Sequence, residues 1–415
     1  AAGAIITGIC TATSFSGDGS ALTGTGVGSN SSINTTGIIT ATAFVQTTSH
    51  PANRNLIING GLLVAQRASS STTSGYGSVD RWQHEYGGTD EAPTFAQSDV
   101  VSSDSGDNPF AKGITKCIKI TNGNQTGGFQ NNRILNFNQN FEAQNVRNSG
   151  WNYNSSSSYM TLSFYAKASV SQNYHGFVKT QDGTNYVFQY ETGTLTANTW
   201  TRIIKTFPGH GSLQINNDTT GGFQVFPIFF GGSSYTDNAI DHTNWQVWAS
   251  GARSKDQTAT WWTTNNATLE LTGIQLEVGP VATPFEHRTY QEEILRCMRY
   301  YQQLTGNDRG YNGATGGSGS FKNSVIGIYN AATDVRGIYY HMVPMRDEPS
   351  LTVLGALTDF DLEPFDRAPA AISMQRPGVF QSTLLIQDSG DGTAGNACQL
   401  TIDQAAGGLA FNSEL

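Results

Sequence analysis

What most constrains this chain is a long succession of short apolar segments, each closed by a turn rich in glycine, asparagine or serine. Alternation is plainest in Thr161-Leu162-Ser163-Phe164-Tyr165-Ala166, where Leu162, Phe164 and Ala166 fall on one face of an extended chain. That period of two belongs to a half-buried strand. Further strands are expected at 114–121, 159–169, 175–180, 185–193, 199–207, 223–231 and 267–279. The region opens with NRNLIINGGLLVAQR, which reads as a strand, a Gly-Gly turn and a second strand. Many short strands with turns between them predict a β-sandwich or barrel over residues 53–287, long enough to bury a sizeable core.

Composition narrows the function classes. Charged residues are 13 % of the chain, against roughly 25 % in an ordinary soluble domain. Aromatics at 11 % are too many for a disordered polar chain. The net charge of −9, without a dense Lys/Arg run, argues against a nucleic-acid partner. Apolar runs fall short of the ~18 residues of a membrane span, so no membrane insertion is expected. Cys10, Cys117, Cys297 and Cys398 lie far apart and read as free, mostly buried thiols rather than disulfides or a zinc site. No signal peptide is evident, and a start at Ala1 rather than Met suggests a processed or partial product.

Residues 1–52 carry an internal repeat. Gly8-Ile9-Cys10-Thr11-Ala12-Thr13-Ser14-Phe15 matches Gly37-Ile38-Ile39-Thr40-Ala41-Thr42-Ala43-Phe44 at an offset of 29, with six of the eight positions identical. One such unit cannot bury its own apolar face, and two are too few for a solenoid, so intertwining with other chains is the expected solution. Residues 288–304 break the β pattern. Thr289 and Glu292 fit a capping box, and Tyr290, Ile294, Met298 and Tyr301 recur near helical spacing. Residues 305–415 read as a second β region, punctuated by Pro344, Pro349, Pro364, Pro369 and Pro377.

Several stretches resemble tail-fibre proteins of tailed bacteriophages. They are NLIINGG, VAQR and VDRWQ, followed by LTGIQLEVGPVATPFEHRTYQEEILRCMRYYQ. SFYAKAS and TLTANTWTRIIKTF are similar to inner strands of the same family, and VPMRDEPSLTV (343–353) to the start of its terminal β domain. The repeat GIITATAF with FSGDGSALTG is similar to shaft repeats of marine cyanobacterial phages. The resemblance covers roughly residues 53–304. It implies a jelly roll like that of carbohydrate-binding modules, and a homotrimeric fibre on the virion tail. The fibre would join other tail proteins through its N-terminal end and adhere to polysaccharide on the host surface. The fold class expected is therefore mostly β: a repeat-bearing trimeric shaft, a jelly roll, one connecting helix and a C-terminal β tip. The competing readings are a short tailspike that degrades polysaccharide, and a purely structural collar or capsid fibre.

A sugar site needs aromatic faces for pyranose rings and polar groups for hydroxyls. Segment 232–266 offers both. It carries Trp245, Trp248, Trp261 and Trp262, with Tyr235, Asp237, Asp241 and Arg253 as further candidates. The bland reading places Trp248 and Trp262 in the core as strand residues, and Trp82 is expected there too. A second candidate site groups Tyr311, Asn312, Asp388 and Asp391 at the C-terminal tip. Catalysis is not expected. Glycosidases need a paired acid and base, whereas Glu85, Asp90 and Glu91, and likewise Asp359, Asp361 and Glu363, read as solvated loop residues. The dispersed histidines suggest no transition-metal cluster. No cofactor is expected beyond a structural calcium, for which Asp104–Asn108 and Asp388–Gly392 have weak loop character.

Overall fold

A computed structural model describes residues 53–306, 324–390, 392–404 and 406–415. The repeats of 1–52, together with Cys10, Tyr311, Asn312 and Asp391, lie outside the described residues. The described residues belong to one compact unit.

The sandwich is built from two sheets. The seven-stranded sheet runs Ser70–Ser71, Thr94–Asp99, Lys116–Thr121, Thr268–Val278, Tyr159–Ala168, Thr199–Pro208 and Ser105–Gly106. The six-stranded sheet runs Gln246–Val247, Tyr186–Leu195, Gln172–Thr180, Gly221–Gly231, Ile134–Glu142 and Gln83–Gly87. Pairing is antiparallel except at the edge, where Thr199 and Trp200 run parallel to Ser105 and Gly106. Neighbours distant in sequence, such as Lys116–Thr121 beside Thr268–Val278, show that the sheets are not simple meanders.

Between the sheets lies one core. Phe95, Ile118, Leu162, Phe164, Ile203 and Leu269 come from the first sheet, and Leu135, Phe137, Val178, Phe188, Val225 and Phe230 from the second. Leu162 and Phe164, the alternating residues of the sequence, point inward as expected. Trp82 is fully buried and stacks on Phe137 at 4.5 Å. Cys117, Cys297 and Cys398 are buried free thiols.

The opening NLIINGG is not a regular strand. Leu56 N–H donates to Leu276 O at 2.9 Å and Ile274 N–H to Gly60 O at 2.9 Å, but the side chain of Asn55 supplies the acceptor between them, taking Leu276 N–H at 3.0 Å. Asn59 sits at φ 59°, and a Cβ on Gly60 would meet Ile274 O at 2.1 Å. Only glycine permits that approach.

The helix is Tyr290–Met298, shorter than 288–304, and the Thr289/Glu292 capping box forms. Tyr301 is not its last turn. It opens strand Tyr301–Thr305, which pairs with Gly408–Asn412. The face expected to pack also differs. Glu293 and Cys297 are buried while Tyr290 is 59 % exposed, because Glu293 accepts Asn59 N–H at 2.5 Å.

The C-terminal region has its own core, including Val325, Tyr329, Val335, Phe360, Leu384, Leu400 and Phe411. Its six-stranded sheet runs Phe360–Glu363, Ala397–Ile402, Ser324–Ala331, Asp334–Tyr340, Gln381–Gln387 and Ala371–Arg376. A three-stranded sheet of Tyr301–Thr305, Gly408–Asn412 and Ser350–Leu354 accompanies it. The two cores are joined by ion pairs. Arg299 grips the fully buried Glu142 carboxylate with two bonds of 2.7 Å. Arg81 pairs with Glu414 while its guanidinium lies 3.4 Å from the Tyr300 ring centroid.

Candidate functional site

The segment proposed for ligand contact does two different jobs. Trp245, Trp261 and Trp262 are core residues at 7 %, 0 % and 1 % exposure, which removes them as sugar platforms. Trp245 donates Nε1–H to Pro208 O at 2.7 Å and meets Phe188 and Phe207 edge-on. The short helix Thr260–Thr263 turns both Trp261 and Trp262 inward. Trp261 stacks on Phe230 at 4.5 Å and donates to Thr268 O at 3.0 Å.

Trp248 behaves differently. It follows the edge strand Gln246–Val247, and its N–H is fixed to Asn185 O at 2.9 Å. The ring is half-buried on the outer face of the six-stranded sandwich sheet. There Ile134, Phe177, Val187, Phe226 and Phe229 form a second, smaller apolar cluster beneath Tyr235 and Trp248. Phe177 tilts against Trp248 at 5.5 Å. Lys179, two residues along the same strand face, puts Nζ 4.5 Å from the Trp248 centroid. Arg253 lies 5.3 Å from Trp248 and 4.8 Å from Tyr235. The structure thus brings Tyr235, Trp248 and Arg253 together and adds Lys179, which the sequence did not single out.

These two cations carry an electrostatic cost. Burial lowers the Lys179 pKa and the Arg253 charge lowers it further, with Glu85 opposing. Burial also lowers Arg253, opposed by Glu85 and Tyr235. Two half-buried cations in mutual repulsion are stabilised by an anion placed between them. Each also gains about 0.5–2 kcal/mol from an aromatic face.

The loop is held in place before any ligand arrives. Arg253 N–H donates to Tyr235 O at 2.8 Å, Asp237 N–H to Ser254 O at 2.9 Å, and Gln189 Nε2 to Ala252 O at 3.0 Å. Asp237 and Asp241 help to shape it. Asp237 Oδ1 accepts Ala239 N–H at 2.8 Å, and Asp241 Oδ1 accepts Thr243 Oγ1–H at 2.6 Å and its N–H at 2.8 Å. The Thr243 and Asn244 side-chain bonds pull the Asp241 pKa down to about 2. Both carboxylates are therefore turn-formers.

Beside this patch runs an amide ladder. Asn136 donates to Glu85 Oε2 at 2.7 Å and Asn138 to Asn136 Oδ1 at 2.9 Å, leaving Asn138 Oδ1 without a donor. Glu85 belongs to strand Gln83–Gly87, not to a loop shared with Asp90 and Glu91. Those two are engaged elsewhere: Asp90 by Arg133 at 3.1 Å, Glu91 by Asn124 N–H at 2.7 Å. A separate cleft of about 520 Å³ is lined by Tyr190, Glu191, Lys205, His242 and Thr243 among others.

The weak calcium positions are corrected by their partners. Asp104 Oδ2 accepts Lys167 Nζ at 2.6 Å and Trp200 Nε1 at 3.0 Å, so an ammonium already neutralises it. Asp388 is 5 % exposed and bonded to Arg367 and to Tyr329 OH, so it is neither a calcium ligand nor an open tip residue for sugar.

No protein-family model matches the chain, and no curated protein matches it. Solved structures do. The enzymatically active domain of bacteriophage CBA120 tailspike protein 4 is 10 % identical, covering 55 % of this chain and 22 % of that one, with a TM-score of 0.30. The xylan-binding CBM22-1 domain of Paenibacillus barcinonensis Xyn10C is 10 % identical, covering 56 % and 100 %, at 0.28. The N-terminal cellulose-binding domain of a Cellulomonas fimi glucanase is 12 % identical, covering 52 % and 98 %, at 0.26. At such identities and scores these likenesses bear on neither ligand nor activity.

Proposed function

We propose that this chain is the receptor-binding part of a tailed-phage fibre, assembled as a homotrimer, which holds host-surface polysaccharide without cleaving it. The observation that carries the reading is the cation-flanked Trp248. A partly exposed indole supplies an apolar edge and face, and Lys179 and Arg253 supply hydrogen-bond donors beside it. The chemistry they fit is a glycan bearing carboxylate or sulfate groups, because such a group relieves the repulsion between the two cations.

Assembly is supported by the C-terminal sheet. Ile326, Ile328, Ile338 and Tyr340 are 72, 56, 42 and 69 % exposed. Val325, Tyr329 and Val335 on the opposite face are buried. Strand alternation thus presents an apolar outer face, of the kind that marks a contact between proteins. Copies joined through this face and through the shaft repeats multiply weak sites into avidity.

Binding of host polysaccharide to wild type, Trp248→Ala and Lys179→Ala tests the reading. We expect each substitution to weaken binding by about tenfold or more, which corresponds to about 1.4 kcal/mol. The wild-type affinity should fall as salt rises, and no reducing ends should be released. Unchanged binding in both variants would overturn it.

A further inference from the structure

The six-stranded sandwich sheet holds a second side-chain cluster, apart from the Trp248 patch. His175 lies on strand Gln172–Thr180, directly opposite Glu191 on strand Tyr186–Leu195. Cross-strand partners project to the same face. His242 comes from the covering loop, next to the turn that Asp241 organises. One ligand-type atom from each of His175, Glu191 and His242 lies within 4.8 Å of the others. His242 Nδ1 stands 3.4 Å from a Glu191 oxygen.

Two nitrogens here have no hydrogen-bond partner although both are buried: His175 Nδ1 and His242 Nε2. His175 is only 3 % exposed. Native proteins rarely leave such groups unsatisfied, and a bound ion is one remedy. Burial disfavours the charged form of both rings. The surrounding charges are mixed. Lys255 acts on both histidines and Lys205 on His242, with Glu191 and Asp241 opposing.

We propose that His175, Glu191 and His242 form a binding site for a divalent transition-metal ion of the zinc type, with solvent taking the remaining position. Two imidazoles and one carboxylate are a donor set such ions favour, and calcium, which prefers oxygen alone, does not. Metal–ligand bonds of about 2.0–2.2 Å require the three atoms to draw together. Glu191 and His242 have that freedom, with side chains 34 % and 20 % exposed, while His175 stays fixed in the sheet. The ion would staple the covering loop to two strands, a few residues before Trp248. The metal site stands whether or not Trp248 binds glycan.

The test is titration of untagged, chelator-treated protein with Co²⁺, followed by visible absorption, and with Zn²⁺, followed by thermal unfolding. Wild type should bind one equivalent of Co²⁺, displaced by Zn²⁺, and Zn²⁺ should raise the midpoint of unfolding. His242→Ala and Glu191→Gln, both at partly exposed positions, should lose about 100-fold or more in affinity and lose the Zn²⁺ shift. The proposal is overturned if wild type shows neither a Co²⁺ band nor a Zn²⁺ shift, if Ca²⁺ alone gives the shift, or if His242→Ala responds as wild type does.

Discussion

Glu142→Gln probes the joint between the sandwich and the C-terminal region. Glu142 is fully buried at the end of strand Ile134–Glu142. Its Oε1 accepts Arg299 Nε at 2.7 Å and Tyr300 OH at 2.6 Å, and its Oε2 accepts Arg299 Nη2 and Gln144 Nε2, both at 2.7 Å. Glutamine keeps the volume but removes the charge and puts a donor where Oε2 accepted two bonds. Breaking one partner of a buried pair costs about 3–5 kcal/mol. The Arg299 side chain is 31 % exposed and regains some hydration, so the low end, about 3 kcal/mol, is expected. Urea unfolding of both proteins measures it. Burial alone would raise the Glu142 pKa, but the bonds from Arg299 and Tyr300 outweigh it and hold the carboxyl below its usual range. A depressed folded pKa contributes stability above the unfolded value of about 4.3 and loses it as pH falls through the folded value. The gap between wild type and variant should therefore hold from about pH 5 to 8 and close in acid. A gap below about 1 kcal/mol at pH 7, or one that does not narrow as pH falls below the unfolded value of about 4.3, would refute the reasoning.

Trp261→Ala removes a fully buried ring stacked on Phe230. It should cost about 3–5 kcal/mol in chemical denaturation while leaving glycan affinity unchanged in the fraction that stays folded. Ile338→Lys places a charge on the exposed apolar face of the C-terminal sheet and should weaken the proposed trimer, read as a shift toward lighter species in sedimentation at low protein concentration, without changing the circular dichroism.

Fold class was legible because apolar side chains recur at every second position of a strand, even where, as at Thr161, Ser163 and Tyr165, the opposite face is covered too. Tyr159–Ala168 and Thr199–Pro208 have that pattern and were read within a residue or two. Ile134–Glu142 escaped notice, although it lies inside the sheet next to the site. Its sequence ILNFNQNFE puts Asn136, Asn138 and Asn140 on a face that other parts of the fold cover, so a buried strand looks polar. Gly408–Asn412 was missed because its partners, Tyr301–Thr305 and Ser350–Leu354, are remote in sequence. At the site, the Trp-rich loop was visible but its division of labour was not. One helical turn at Thr260–Thr263 sends two indoles inward, and nothing in WASGARSKDQTATWW announces that turn. Lys179, His175 and Glu191 belong to strands far from the loop in sequence, so only folding brings them to it.

Amide hydrogen exchange, with and without host polysaccharide, tests the central claim most directly. The account predicts added protection at 177–179 and 247–254, with strand Thr199–Pro208 of the opposite sheet unchanged. Protection confined to the C-terminal sheet, or absent throughout, would contradict it.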